Sequence, residues 1–458
     1  MMPVLASPVV TSPDLPGRPP FALRARLLTP LASGGTQHEP DGLLVVDAAG
    51  RLAYVGPARG RPADLDDAVD LRPWTLLPGL IDLHAHLPQL PNAGLGAGLD
   101  LLTWLDRYIF PLERGFDEAA AERLAPLAWQ AFAAAGTTTA LVYGAVYAAS
   151  LDATFRAAEV HGIRAIVGKV MMDRITYDPT IDPTTILDRT LRESADLIAR
   201  WHGADGGRLR YAVTPRFAVS CTADLLRESA ALAASTGAYW QTHVSEDRGE
   251  IAEVARLFPE AKDYVDVYDR AGGLGERTIL AHAVHLSDRE LGRLVESGTR
   301  VAHCPASNLF LASGIMPLGR YLEAGLSVGL GSDVAGGPDL SIFTAMRIGF
   351  YAQNASRVAG LGPGQTLTPL AWLRIGTLGG ARALGIDDVI GSLEVGKEAD
   401  LIAIDPAFVA AVPGAVDDDP EDLMSRIIFR GHPDMVRAAW VRGRRLDGPG
   451  RRPDGGPT

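Results

Sequence analysis

Apolar residues along this chain follow two rhythms. Short runs rich in Val, Ile, Leu and Thr, bounded by Gly, Pro and Asp, read as strands. Longer segments with apolar positions three and four apart read as helices. In the middle of the chain the two alternate. Eight strand-like runs occur at "LLPGLIDLHAHL", "GTTTALVYGA", "IRAIVGKVMM", "LRYAVTPRFA", "AYWQTHVSE", "RTILAHAVHL", "TRVAHCPASN" and "LSVGLGSDVAGG". Between them lie helical stretches such as "DEAAAERLAPLAWQAFAAAG", "TADLLRESAALAASTG" and "SDRELGRLVESG". Eight strands, each followed by a helix, predict an α/β fold of the (β/α)8, TIM-type barrel class. No glycine-rich dinucleotide fingerprint follows a strand, which argues against the alternative, a doubly wound open sheet.

The two ends have a different texture. "FALRARLLTP", "DGLLVVDAAGRLAYVG" and "AVDLRPWTLLPG" precede the barrel, and "GSLEVGKEADLIAID" and "MVRAAWVRGRRL" follow it. They predict a small β-sandwich domain assembled from both termini. The expected boundaries are 21–75 and 388–446 for that composite domain and 76–387 for the barrel. Flexible tails are expected at 1–20, which is proline-rich, and at 447–458.

Composition narrows the function classes. The 458 residues carry a formal net charge of −12, which disfavours nucleic acid as a partner. Two cysteines, Cys221 and Cys304, are too few for a disulfide framework and suit a cytoplasmic protein. No apolar run approaches the ~20 residues of a membrane span, so no membrane partner is expected.

Barrel enzymes gather their chemistry at the C-terminal ends of the strands, and the polar residues that interrupt the apolar runs fall there. His84 and His86 close the first strand, and period-two alternation puts both on one face with Asp82. Arg216 closes the fourth strand, His243 the fifth, His282 the sixth and Asp333 the eighth. Imidazoles and a carboxylate converging on one barrel mouth suit a first-row divalent cation, zinc or iron. Asp82 and His303, at the end of the seventh strand, are candidates to hydrogen-bond within the site and orient its neighbours. His38, His161, His202 and His432 fall in loops or on helices and stand outside the pattern. Glu246 lies in "THVSEDRGE", where such charges usually mean a solvated loop. Three residues past His243, however, a carboxylate can pass a proton between water and substrate. Cys304 beside His303 is a weak thiol candidate, because adjacent strand residues face opposite ways.

The stretches "PGLIDLHAH", "HVSE", "AHAVHL", "HCPASNL" and "GLGSDVAGG", in this order, resemble the metal-dependent amidohydrolase superfamily. Within it, "LLTWLDRYIFPLE", "VGKVMMDR", "TPRFAVSC" and "TLGGARALGIDDVIGSLEVGKEADLI" are similar to the guanine deaminases. The similarity spans roughly residues 70 to 445. It implies zinc-dependent hydrolytic deamination of guanine to xanthine and ammonia, as in purine catabolism. It implies one Zn2+ per chain, with Fe2+ as the alternative ion, held by His84, His86, His243 and Asp333. Glu246, His282 and Asp333 are then the catalytic groups. Gln89, Trp104, Arg216, Phe217, His243 and Glu246 are the residues around the purine base, and a homodimer is expected. Related purines such as 8-oxoguanine, or another cyclic amidine such as cytosine, stay open as substrates, and an inactive metal-binding scaffold is the remote alternative. A two-metal site bridged by a lysine is disfavoured, because the only well-placed barrel lysine, Lys169, sits on the third strand rather than the fourth.

Overall fold

The computed structural model describes residues 14–61, 64–177, 182, 185–361, 366–412 and 418–447. Four strands come first: β1 (Phe21–Pro30), β2 (Thr36–Val46), β3 (Leu52–Pro57) and β4 (Val69–Pro78). The barrel strands follow as β5 (Leu80–His86), β6 (Thr137–Tyr143), β7 (Arg164–Gly168), β8 (Val170–Met171) and β9 (Leu209–Pro215). They continue as β10 (Tyr239–Val244), β11 (Thr278–His282), β12 (Arg300–His303) and β13 (Ser327–Leu330). The chain then returns to the first sheet with β14 (Leu401–Ile404), β15 (Val436–Val441) and β16 (Arg444–Arg445).

Strands from both ends build one seven-stranded sheet in the order β16-β15-β14-β4-β1-β2-β3. The barrel sheet runs β5-β6-β7-β9-β10-β11-β12-β13, all parallel, with β8 added on β9. All seven residues of β5 and of β6 are buried, as a parallel sheet covered on both faces requires. Helix starts are fixed by local capping. The Asp117 side chain accepts the Ala120 N–H (2.9 Å), and Ser287 and Glu290 form a reciprocal capping box.

Two details position the site. The third expected strand, "IRAIVGKVMM", splits at Lys169 into β7 and β8. Close approach to β9 demands glycine there: a Cβ on Gly168 would lie 1.8 Å from Thr214 Oγ1. The segment after β13 then closes the barrel against β5, with Asp333 N–H donating to His84 O (2.7 Å) and His86 N–H to Val334 O (3.0 Å). Asp82 Oδ1 reinforces the seam by accepting the backbone N–H of His84 (3.1 Å) and of Ser332 (3.0 Å). These bonds set the carboxylate of the eighth strand beside the histidines of the first.

Of the expected N-terminal tail, residues 1–13 lie outside the described residues, and Leu15–Gly17 are held on the small sheet. Trp440 Nε1 donates to Pro16 O (2.9 Å) and Arg445 Nη1 to Leu15 O (2.8 Å). At the other end, residues 448–458 lie outside the described residues. Among the described residues no helix is long and apolar enough to cross a membrane.

A buried ionic cluster joins barrel to sheet. Arg164, the first residue of β7, contacts Glu398 Oε2 (2.6 Å) and Asp400 Oδ2 (3.1 Å), and Arg442 Nε reaches the same Glu398 oxygen (2.8 Å). Removing one member of a buried pair strands the others without their counter-charge. Arg164→Ala is therefore expected to cost about 3–5 kcal/mol of stability, read from denaturant unfolding. Burial works against the Glu398 charge, but Arg164 and Arg442 hold its carboxyl below its ordinary value. A depressed folded-state pKa contributes stability that is full above the ordinary carboxylate range and is lost as pH falls through the lower value. The wild type should lose that increment in acid, and Arg164→Ala should lose less.

Candidate active site

The sequence-predicted residues meet at the C-terminal mouth of the barrel. His84 Nε2 lies 3.1 Å and His86 Nε2 3.4 Å from Asp333 Oδ1, and the two imidazole nitrogens His86 Nε2 and His243 Nε2 are 3.2 Å apart. His282 Nε2 lies 3.4 Å from Glu246 Oε2 and 3.7 Å from Asp333 Oδ2. One ligand-type atom from each of His84, His243, His282 and Asp333 falls within a mutual 4.8 Å. His86 extends this group on the His243 and Asp333 side.

The backbone is bent at these positions. Ser245, His282, Ala283 and Asp333 all have positive φ, at 47°, 72°, 51° and 48°. Left-handed non-glycine residues are uncommon and cost free energy, and they persist where surrounding structure over-determines them. Three of the four follow a strand end directly or within a few residues, and the turn they make aims side chains inward.

Hydrogen bonds fix which imidazole nitrogens are free. His243 Nδ1 meets Arg216 O (2.6 Å) and His282 Nδ1 meets Asn308 Oδ1 (2.9 Å). Both partners are oxygens that only accept, so each Nδ1 carries the proton and each Nε2 lone pair points into the cluster. Burial holds His84 below the ordinary imidazole range, His86 at about 4 and His243 well down, so these rings are neutral at pH 7. Burial opposes the Asp333 charge, yet the facing His84 and His86 keep its carboxyl well below the usual range.

A divalent cation fits this donor set. His84 Nε2 and His282 Nε2 are buried and make no hydrogen bond, although a buried polar atom without a partner costs free energy. Neutral imidazoles with converging lone pairs beside an ionised carboxylate are what such an ion needs. Lys169 is not a bridge: its ammonium is taken up by Thr190 Oγ1 (2.6 Å) and Glu193 Oε2 (3.2 Å). Cys304 is closed as a nucleophile, since burial pushes its thiol well up and Sγ faces Ala302 O at 3.6 Å.

Beside the cluster lies a cavity. Glu246, His86, His243, His282 and Asp333 line it together with Gln89, Arg216, Phe217 and Trp104. Glu246 is only 2% exposed, which removes the solvated-loop alternative. The capping box of the next helix seats it: Glu250 Oε2 accepts the Glu246 N–H (2.9 Å), while Ser313 Oγ donates to Glu246 Oε1 (3.3 Å). Burial, with the Asp333 charge adding to it, pushes the Glu246 carboxyl well above its ordinary value. Trp104 is fixed by Nε1 donating to Leu95 O (2.9 Å).

Two expectations change in detail. Asp82 is tied to backbone amides of the barrel seam rather than to an imidazole ring. His303 is buried, but neither ring nitrogen has a hydrogen-bond partner, so no such bond orients a cluster residue through it. Asn308 does that instead for His282. Sequence reasoning also passed over Tyr143, whose ring lies 4.5 Å from His86 and 4.9 Å from His243. It passed over Glu113 too, which is fully buried against Arg216 and Gln89. The one available signal was a lone acid in the apolar "YIFPLE".

Fold and site together define a barrel hydrolase: residues 75–446 match the amidohydrolase family, and the chain belongs to it. It is 40% identical over 413 residues to the probable guanine deaminase of Deinococcus radiodurans, covering 88% of this chain and 92% of that protein. The solved guanine deaminase of E. coli superposes with a TM-score of 0.85 at 31% identity, over 93% of this chain and 99% of that one. The guanine deaminase of C. acetobutylicum, solved with guanine bound in its active site, gives 0.84 at 27% identity, over 93% and 99%.

Proposed function

We propose that this enzyme hydrolyses guanine to xanthine and ammonia, breaking the exocyclic C2–N bond and forming a C2–O bond from water. One observation carries the reading: a buried carboxylate, a His/Asp cluster and the paired donors Arg216 and Gln89 line the same cavity. The similarity to guanine deaminases, one of them with guanine in its active site, supports the same substrate.

In this reading His84, His86, His243 and Asp333 hold one zinc ion, or iron in its place. When bound, such an ion supplies Lewis-acid activation of water at neutral pH. Glu246 takes the proton of the attacking water on Oε2 and passes it to the base, so that nitrogen departs as ammonia. His282 Nε2, 3.4 Å from that oxygen, faces it with a lone pair that accepts once the carboxyl carries the proton. Arg216 and Gln89 donate to purine oxygen and nitrogen acceptors. Phe217 and Trp104 offer flat apolar faces to the ring. A place in purine catabolism, a cytoplasmic location and a homodimer belong to the same proposal, and sedimentation of the purified protein checks the last.

The test is to incubate purified, zinc-loaded protein with guanine, 8-oxoguanine, adenine and cytosine, following ammonia from each. Guanine is expected to be the preferred substrate. Release from cytosine or 8-oxoguanine with none from guanine reassigns the substrate, and no release from any base supports the inactive scaffold.

A further inference from the structure

Glu113 does not itself line the cavity, yet it is a fully buried carboxylate on the helical segment Phe110–Arg114, behind two residues that do. Its two oxygens are both used. Oε2 accepts from Arg216 Nη1 (2.5 Å) and Oε1 accepts from Gln89 Nε2 (2.7 Å). The guanidinium is held from a second side by the Phe110 ring, 5.2 Å from its central carbon.

An ionised carboxylate only accepts. Gln89 must therefore turn its NH2 group toward Glu113, and on its other side the Ala335 N–H donates to Gln89 Oε1 (3.3 Å). The amide, whose two ends are nearly the same shape, is pinned in one of its two orientations. One N–H of Gln89 and the spare N–H groups of Arg216 are then left for the cavity. That wall offers donors.

We propose that Glu113 is a positioning residue that fixes the donor polarity of the Arg216–Gln89 wall and so selects bases carrying an oxygen there over bases carrying an amino group. The proposal rests on the reading that the cavity binds a purine. The O6 of guanine meets the donors as an acceptor. In 2,6-diaminopurine the same position is an NH2 group, and donor faces donor. Leaving buried polar groups mismatched is what makes such sites strongly selective.

Glu113→Gln tests this, because a glutamine keeps the shape but presents an NH2 group to one neighbour. Gln89 is then free to reverse and offer Oε1 to the cavity. Zinc-loaded wild type and variant are compared for kcat and KM on guanine and on 2,6-diaminopurine, with bound zinc measured in both. The expected result is a rise in guanine KM with a smaller change in kcat, unchanged zinc, and a fall of at least about tenfold in the preference for guanine. Parallel losses on both bases, leaving the preference unchanged, mean that Glu113 only supports the fold and overturn the proposal. A wild type without guanine activity overturns the substrate reading and the proposal with it, so the two failures are distinguishable. Should Glu113→Gln not fold, Glu113→Asp decides. Its shorter carboxylate is expected to raise guanine KM while keeping the preference, and an unchanged KM overturns the proposal.

Discussion

Replacing Glu246 by glutamine is expected to lower guanine turnover by about 10²–10⁴-fold while leaving bound zinc unchanged. The amide keeps the shape and the Ser313 contact but cannot take up or release a proton in the working pH range. The size of the effect follows from the setting. Glu246 is 2% exposed, sits 3.4 Å from His282, and has its carboxyl pushed well above the ordinary value by burial, with the Asp333 charge assisting. A carboxyl moved upward in this way approaches the pH at which it must both accept and donate. Because Glu246 is outside the proposed ligand set, metal content by elemental analysis should match the wild type. Near-normal turnover in the variant would remove Glu246 from the mechanism. Lost zinc would place it among the ligands instead.

Stripping divalent ions with a chelator is expected to take guanine turnover to background, with recovery on adding zinc back. His243→Ala should do the same irreversibly. Buried imidazole nitrogens crowd together here, with His86 Nε2 and His243 Nε2 3.2 Å apart and His84 Nε2 lacking any hydrogen bond. A cation that binds only the folded chain also stabilises it by mass action, so the stripped protein should melt at a lower temperature than the loaded one. Turnover that survives chelation, with metal content confirmed as negligible, would exclude a metal from the reaction. Two tightly held ions per chain would reject the single-ion reading.

The barrel was legible because its strands are short apolar runs ended by turn residues, and each of the eight expected runs contains a barrel strand. The site was legible for a related reason. His84, His86, His243 and His282 interrupt or end apolar runs, where an ionisable group needs an explanation. Glu246 was harder, since the charges around it fit a solvated loop equally well. Only its burial settled that.

What escaped the sequence is what depends on contacts between distant segments. Glu113 and Arg216 are 103 residues apart, and His282 and Asn308 26 apart. No local period marks either pair. His303 and Asn308 sit in the same stretch of chain, and position alone favoured the histidine. The fold instead turned the Asn308 amide oxygen onto His282. The sequence by itself determined the order of strands, the strand-end residues and the class of chemistry, because periodicity and residue type are local properties. The tertiary structure alone decided which imidazole nitrogen faces inward, how Gln89 is oriented, and which carboxylates are buried. Those follow from hydrogen bonds made across the barrel, and such bonds exist only once the strands have closed.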